Sequence, residues 1–531
     1  MPTSQASSPP SSGEPLPNPG EANASAGGLA RNALVSYLAM FTGTLAGLLV
    51  TPYLLRHLGV EHFAVWVLLL STVGYLGLLE IGLYTTISKR VAESVAVDDR
   101  ARLQSVLSTA LMMYGALTVG VLLIGGALAA LLPMLFRLRP DDVSLARHCL
   151  LLLTLNQMAL FAFRLQPALL FGAGRMDLLA AVGTLYNLLT AVINVAVAWA
   201  GYDIAALAAG TLLTTFISGF IGRRLIRLHL PAVTIHARYA DLDTARELLK
   251  FGGRNAVLSV AGTIAFGADA LVIGLLLPVA NVAHYTVAAR LANFIRELCQ
   301  KPVDVLLPAY SHTDARGDGA RHFQLWSESI SLSMAIALPF VIAAWVFGAR
   351  IVAAWIGDGH EQSGLIFALL ALMQWLQLPG HASLALLTGT ERNAWLVRVT
   401  VVAALFNLLL SLILTRAMGP SGVAIASLIM VTLVDFCLLP IVVCRQFRFA
   451  LRDYLAHSLR PLLLPIVVGI VVAEGGLRWH LKYFRVPPDR VATLLLLGAL
   501  CLICWTAWFT TGLNRTRRSG YIRALRAALK R

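Results

Sequence analysis

Fourteen apolar runs, each long enough to cross a membrane, decide what this sequence can fold into. A helix of about 20 apolar residues spans the ~30 Å hydrocarbon layer of a bilayer and satisfies its own backbone hydrogen bonds there. The runs lie at residues 33–55, 63–87, 104–132, 144–171, 178–200, 203–228, 247–277, 282–309, 324–348, 362–388, 394–417, 420–444, 457–477 and 491–513. We therefore expect an all-α polytopic membrane protein with 14 transmembrane helices.

The charge distribution predicts the orientation of these spans. A net charge of +15 is typical of nucleic-acid binding in a soluble protein, but in a membrane protein positive residues collect in cytoplasmic loops. With the N-terminus inside, 27 of the 42 Lys and Arg residues fall in cytoplasmic segments and 10 in outside loops. Both termini are therefore predicted to be cytoplasmic, and we expect no nucleic-acid partner.

The loops between the spans are short, and the longest of them divides the chain near its middle. The predicted segments are a disordered cytoplasmic tail at 1–30, a six-helix bundle at 31–228, a cytoplasmic linker at 229–246, a second six-helix bundle at 247–444, helices 13 and 14 at 445–513, and a basic cytoplasmic tail at 514–531. No loop is long enough to fold as a catalytic domain. We therefore expect a protein that is not an enzyme.

The two predicted bundles resemble each other weakly. LGVEHFAVWVL from Leu58 aligns with LPVANVAHYTV from Leu277, an offset of 219 residues. Gly172 aligns with Gly389 at the similar offset of 217 residues. Chance similarity between Leu-rich helices is the alternative. If the repeat is real, its even number of spans makes the two bundles parallel, and such bundles can rock around a central site.

A stripe of charged and polar residues along span eight is the main functional signal. At about 100° per residue, these side chains fall within one arc of roughly 140°. They are Arg290, Asn293, Arg296, Glu297, Gln300, Lys301 and Asp304. Charge at membrane depth is costly unless it faces water, a partner or a substrate. Glu297, Lys301 and Asp304 are also spaced to pair along the helix, which would make them structural support.

The segment Thr51–Ser94 resembles the opening of bacterial polysaccharide exporters, which belong to the multidrug, oligosaccharidyl-lipid and polysaccharide exporter superfamily. Their pattern is a Pro ending span one, an Arg-x-Leu-Gly turn, an aromatic-x-x-Trp-like start to span two, and an acidic-x-Gly near its inner end. The matching residues are Pro52, Arg56, Leu58, Gly59, Phe63, Trp66, Glu80 and Gly82, whereas Ala64 stands where a Gly is usual. In the second half the matches are Asp269, Tyr285, Ala288, Arg290, Gly389 and Arg392.

This resemblance implies a V-shaped pair of six-helix bundles, with two extra C-terminal helices. The implied function, in the polysaccharide flippase branch, is to move undecaprenyl-pyrophosphate-linked oligosaccharide across the bacterial inner membrane by alternating access. The substrate would be an O-antigen or exopolysaccharide repeat unit, so the implied pathway is lipopolysaccharide or exopolysaccharide synthesis. The implied partners are the lipid-linked oligosaccharide, membrane lipids, and the polymerase and glycosyltransferases of that pathway.

Such a substrate combines an anionic pyrophosphate, a sugar chain and a prenyl tail. Arg suits pyrophosphate because its planar guanidinium can bind two oxygens at once. We expect Arg290, Arg296 and Asn293 to line the substrate cavity, and Arg164 and Arg398 to face them from spans four and eleven.

Four carboxylates within or at the edges of spans are candidates for ion coupling: Asp269, Asp435, Glu297 and Glu80. A buried carboxylate can carry a proton if its pKa is raised, but it can equally cap a helix or pair with an Arg. No glycine-rich phosphate loop ends in Lys-Ser/Thr, and no metal-ligand pattern stands out. We expect no cofactor and no metal, with an ion gradient or the membrane potential as the energy source.

Two further sequence features lead to smaller predictions. Cys501-x-x-Cys504 has redox spacing, but it lies inside an apolar run and is predicted to be part of the core. Pro379 and Gly380 beside His381 predict a break in span ten. The alternative functions are a lipid II flippase, a multidrug or cation antiporter of the same superfamily and, from another class, an integral-membrane polysaccharide polymerase or ligase.

Overall fold

The computed structural model describes residues 26–80, 82–229, 236–250, 267–304, 306, 310, 313–314, 318–390, 392, 395–484 and 490–512. In the first half the helices are α1 Ala26–Leu76, α2 Leu83–Ala96, α3 Arg100–Leu135, α4 Asp142–Phe163, α5 Leu165–Gly172, α6 Met176–Trp199 and α7 Ile204–His229. In the second half they are α8 Asp269–Leu276, α9 Ala280–Asp304, α10 Gly319–Ile356, α11 Glu361–Gly389, α12 Leu396–Met418, α13 Pro420–Val431, α14 Leu439–Gln446, α15 Leu451–Tyr454, α16 Arg460–Phe484 and α17 Arg490–Ala507.

The described residues contain ten helical stretches that are long and apolar enough to cross a membrane. The predicted all-α membrane fold is therefore confirmed, whereas the count of fourteen spans stays a prediction. One of the ten stretches, Thr42–Glu80, overlaps two predicted spans, 33–55 and 63–87. About half of the span predicted at 247–277, residues 251–266, lies outside the described residues, and so do the tails 1–25 and 513–531.

Gly59 divides α1 into two helices at the turn that the sequence predicts between spans one and two. Its φ of 74° lies in the left-handed region, which glycine adopts without the steric cost of a Cβ atom. Pro52 was expected to end the first span, but it lies inside the helix seven residues before this turn. The glycine, rather than the proline, therefore ends the first helix.

The chain forms two compact units. Unit 1 contains residues 1–50, 72–132 and 140–260, and unit 2 contains residues 51–71, 133–139 and 261–531. In unit 1, α4 packs on α7, α6 on α7 and α2 on α5. In unit 2, α10 packs on α11, and α9 packs on both. The predicted boundaries of the two six-helix bundles stay predictions.

Residues 236–250, at the end of the predicted linker and the start of the next predicted span, dock on α2 and α3 within unit 1. The backbone N–H of Asp241 donates to Thr109 Oγ1 at 3.0 Å, and Arg90 forms an ion pair with Glu247 at 2.5 Å. Hydrogen bonds from the backbone N–H and hydroxyl of Thr244 lower the pKa of Asp241 below its ordinary value. These contacts hold residues 236–250 against the bundle.

The predicted break in span ten is wrong, because α11 runs without interruption through Pro379 and Gly380. Gly380 instead allows close packing of α11 against the segment that contains Asp435. A Cβ atom at this position would lie 2.5 Å from the Cβ atom of Asp435, so only glycine admits the close approach of that segment. Residues Thr432–Leu438, which include Asp435, form a stretch of π-helix between α13 and α14.

The last two helices pack on α10 in unit 2. Their shared core contains Leu338, Ile342 and Phe347 of α10, Ala473 of α16 and Cys504 of α17. The Cys504 thiol is buried and free, in agreement with its prediction as a core residue.

Candidate functional site

Unit 2 contains a polar cavity of about 300 Å³ between α8, α9 and α11. Its volume is at the lower end of the range for ligand pockets. The polar and charged residues in its lining are Ser71, Asp269, Tyr285, Thr286, Arg290, Asn293, Arg296, Gln374, Gln377 and Ser427. Arg290, Asn293 and Arg296 were predicted to line a substrate cavity, and Asp269 was a candidate for ion coupling; these functional roles stay predictions.

One wall of the cavity is cationic. Arg290, Asn293 and Arg296 lie at intervals of three residues on α9, so their side chains share one helical face, as predicted. Arg290 is exposed to the cavity, and Glu297 lies within electrostatic reach of it. The Nε atom of Arg296 is buried and has no hydrogen-bond partner among the described residues.

The facing wall carries amides from α11. Gln374 is 6% exposed, and its Nε2 donates to Asn293 Oδ1 at 3.4 Å. Its Oε1 is buried without a hydrogen-bond partner in the described part of the chain. Gln377 lies one turn further along the same face. Arg296 and Gln374, which both line the cavity, thus each contain one buried polar atom without a hydrogen-bond partner among the described residues. Leaving such groups unpaired costs ~1–3 kcal/mol each, which a polar ligand would offset.

The third wall holds a single carboxylate. Asp269 is the first residue of α8 and accepts a short hydrogen bond from the Tyr285 hydroxyl of α9. With Arg290 and Arg296, the charged side chains in the lining carry a net charge of about +1 when all are ionised.

Arg164 and Glu80 form a different cluster, in unit 1. The helix from α1 ends in a tight turn at Gly77–Glu80, and α2 begins after Gly82 in the left-handed region with a φ of 87°. Glu80 is 6% exposed and forms a short ion pair with Arg164, which lies between α4 and α5. The Tyr114 hydroxyl donates to the same carboxylate at 3.2 Å.

Arg164 is also held by an aromatic ring. Its guanidinium carbon lies 4.8 Å from the centroid of the Tyr84 ring, a cation–π distance. The arginine side chain nevertheless keeps 40% of its surface exposed. Glu80 thus neutralises and orients Arg164 within unit 1.

The remaining predicted residues lie outside the cavity lining. Arg398 is exposed near the start of α12, and Glu297 is half-buried on α9. Asp435 is half-buried in the π-helical stretch against Gly380. The sequence did not identify Gln374 and Gln377, although two amides three residues apart in an apolar run were a usable signal.

An apolar groove also lies in unit 2, between α9, α10 and α17. It has a volume of about 580 Å³. Its lining consists of Leu298, Ala335, Ile336, Leu502, Trp505, Thr506, Trp508 and Phe509. Leu298 lies two residues beyond Arg296, so α9 contributes to both the polar cavity and the groove.

Comparisons with known proteins identify relatives of this chain. The model of a family described as "Polysaccharide biosynthesis protein" matches residues 29–314. The probable low-salt glycan biosynthesis flippase Agl15 of Haloferax volcanii is 22% identical over 75% of this chain and 80% of its own length. A putative O-antigen transporter of Shigella flexneri is 21% identical over 58% of this chain and 72% of its own length.

Solved structures share the fold. The lipid II flippase MurJ in an inward closed conformation aligns with a TM-score of 0.70 at 13% identity, covering 90% of this chain and 98% of its own. An inward-facing multidrug resistance transporter of the MATE family aligns with a TM-score of 0.62 at 17% identity, covering 78% of this chain and 95% of its own.

Proposed function

Because the chain belongs to the polysaccharide biosynthesis protein family, whose model covers more than half of it, we propose that it moves undecaprenyl-pyrophosphate-linked oligosaccharide across the bacterial cytoplasmic membrane by alternating access. The single observation that carries this proposal is the pair Arg290 and Arg296 on a helix of the membrane fold, both facing a polar cavity. Two cations at such a site call for an anionic ligand. The flippase and transporter relatives support a lipid-linked glycan as that ligand.

The pyrophosphate of the substrate would bind the cationic wall. Arg290 is exposed and lines the cavity, and Arg296 has a buried Nε atom without a partner among the described residues. A guanidinium can donate two parallel hydrogen bonds to phosphate oxygens, and each bond to a charged group is worth ~1.5–3 kcal/mol. Glu297 stays a candidate support for Arg290 and a candidate coupling carboxylate.

The first sugar would bind the amide wall. Sugar hydroxyls donate and accept hydrogen bonds, and amide side chains do both. Gln374 lines the cavity with a buried acceptor that has no partner in the described part of the chain, and Gln377 and Asn293 lie beside it. This arrangement supports a polar head group that carries both an anion and hydroxyl groups.

The prenyl tail requires an apolar surface that continues from the head-group site, because each buried CH₂ contributes ~0.8 kcal/mol in water-to-apolar transfer. The groove between α9, α10 and α17 is apolar, but its α9 residue, Leu298, lies about 200° around the helix from Arg296. The groove therefore lies on a different side of α9 from the cavity and does not continue the head-group site.

Coupling to an ion gradient is the proposed energy source, and its candidates are Asp269, Asp435, Glu297 and Glu80. Asp269 has the strongest support, because it lines the cavity beside the two arginines. Glu80 has the weakest, because its ion pair with Arg164 gives it a structural role. We also propose that both termini are cytoplasmic, and that the protein acts beside a polymerase and glycosyltransferases.

The alternatives fit the cavity less well. An antiporter of cationic drugs would favour an acidic cavity, whereas the charged groups here are two arginines and one aspartate. A lipid II flippase would need the same pyrophosphate site. Lipid II and the lipid-linked oligosaccharide therefore differ in the sugar that the site must bind, and the fold does not distinguish them.

Export in cells tests the proposal. Arg290→Ala and Arg296→Ala should each stop polymer export while the amount of protein in the membrane stays normal. Arg416→Ala, at an exposed arginine in the last turn of α12 outside the cavity lining, is the control and should export normally. Normal polymer in both arginine variants would overturn the cavity assignment. Accumulation of lipid-linked peptidoglycan precursor instead of polymer intermediates would indicate a lipid II flippase.

A further inference from the structure

Two histidines face each other at one end of the helices that form the cavity walls. His284 lies in the second turn of α9, and His360 is the residue before α11. Their Nδ1 atoms are 3.5 Å apart, and their ring centroids are 5.3 Å apart at an interplanar angle of 56°. Both rings are half-buried. The proposed transport cycle uses neither of them.

The distance between the two nitrogens is a poor fit to a hydrogen bond. An N–H donor and its acceptor are normally ~2.9–3.0 Å apart, and interactions beyond 3.2 Å are weak. The distance is a good fit to two ligands of one metal ion. With Zn–N bonds of ~2.0–2.1 Å, two nitrogens at a tetrahedral angle lie ~3.3–3.4 Å apart. Closing the remaining gap requires a shift of a few tenths of an ångström.

We propose that His284 and His360 form a binding site for a divalent transition metal of the Zn²⁺ class. Imidazole nitrogen is a preferred ligand for Zn²⁺, Ni²⁺ and Co²⁺. The hydroxyl of the buried Ser363 lies 3.4 Å from His284 Nδ1 and is a second polar group beside that nitrogen. Among the described residues no group of three His, Cys, Asp or Glu side chains completes the shell. Water therefore fills the other positions, and the metal exchanges readily.

Metal at this site would join the two helices that supply the cavity walls. His284 lies six residues before Arg290 on α9, a rise of ~9 Å. His360 lies fourteen residues before Gln374, along the helix that carries the amide wall. A bound ion would restrain α9 and α11 against each other at this end. We therefore expect it to slow any cycle in which these helices separate, and this consequence rests on the proposed function.

Metal binding is measured first, because it does not depend on transport. Untagged full-length protein in detergent is titrated with ZnCl₂ by calorimetry and with CoCl₂ by visible absorption. We expect one ion per chain. His284→Ala and His360→Ala should each weaken binding by more than about tenfold. His148→Ala removes an exposed histidine of unit 1 and should leave the affinity unchanged.

Replacing His360 with another metal-coordinating residue distinguishes a metal site from a purely structural contact between the two histidines. His360→Cys should restore Zn²⁺ binding and strengthen the sulfur-to-Co²⁺ absorption band, whereas His360→Ala should not. Wild-type protein that binds no Zn²⁺ at millimolar concentration would overturn the proposal. Equal affinity in wild type, His284→Ala and His360→Ala would overturn it as well.

The consequence for transport is measured second, in vesicles that contain the lipid-linked substrate. Zn²⁺ should slow transport by the wild type and leave His284→Ala unaffected. Normal metal binding without any transport would contradict the proposed function but not the metal site. An unchanged transport rate in wild-type protein that has bound Zn²⁺ would contradict the proposed restraint of α9 and α11.

Discussion

Replacing Arg296 with Met should weaken substrate binding without lowering the stability of the protein, so the two roles of this side chain can be measured separately. The buried Nε atom of Arg296 has no partner in the described structure, and such a group costs ~1–3 kcal/mol. Met retains the length of the side chain and removes this cost, so the free energy of unfolding should stay equal or rise. The substrate loses at least one hydrogen bond to a charged donor, worth ~1.5–3 kcal/mol. The dissociation constant should therefore rise ~10- to 150-fold.

The assay is binding of undecaprenyl-pyrophosphate-linked oligosaccharide to purified protein in detergent, with the melting temperature measured on the same samples. Arg398→Met is the matched control, because Arg398 is exposed on α12 and lies outside the cavity lining. That variant should bind as the wild type does. Unchanged affinity in Arg296→Met, or a fall in its melting temperature, would refute the assignment of Arg296 to a ligand site.

Three further predictions concern other parts of the molecule. Arg164→Met should lower the melting temperature, because the buried Glu80 carboxylate keeps only its hydrogen bond from Tyr114 and loses its cation, at a cost of ~2–3 kcal/mol after allowing for the exposure of Arg164. Adding Glu80→Gln should restore much of the lost stability. Gln374→Leu should weaken binding of the glycosylated substrate about tenfold but leave undecaprenyl pyrophosphate binding unchanged, since only the sugar contacts the amide wall. Hydrogen bonds from Thr244 lower the pKa of Asp241 in the folded state. The ionised Asp241 therefore stabilises the fold at pH values above its unfolded pKa of about 3.9, and this stabilisation is lost as the pH falls below that value. Hydrogen exchange should accordingly show less protection of residues 242–250 in acid, and Asp241→Asn should abolish this pH dependence.

The cationic wall could be predicted from the sequence because it depends on one helix alone. Arg290, Asn293 and Arg296 share a face by helical periodicity, whatever packs against α9. The same reasoning predicts the apolar spans, since the length of each run is set by the bilayer. These features need no knowledge of tertiary contacts.

The contacts between helices could not be predicted in this way. Glu80 with Arg164, and Gln374 with Asn293, depend on the rotation and depth of two packed helices. Arg398, which was expected to face the cavity, is exposed on α12 outside the described lining, and its role stays a prediction because its place follows from packing rather than from spacing along the chain. Pro379 did not break α11, where the neighbouring glycine accommodates the segment that contains Asp435.

Lipid translocation by the purified protein tests the proposed function most directly. Protein is reconstituted into vesicles with undecaprenyl-pyrophosphate-linked oligosaccharide in the inner leaflet, and a membrane-impermeant glycosidase reports what reaches the outer leaflet. We expect translocation that depends on the protein and on an ion gradient or membrane potential, and that is lost in Arg290→Met/Arg296→Met but kept in Arg398→Met. Translocation undiminished in the double variant, or none by the wild type under any gradient, would contradict a cationic cavity that carries the lipid-linked glycan.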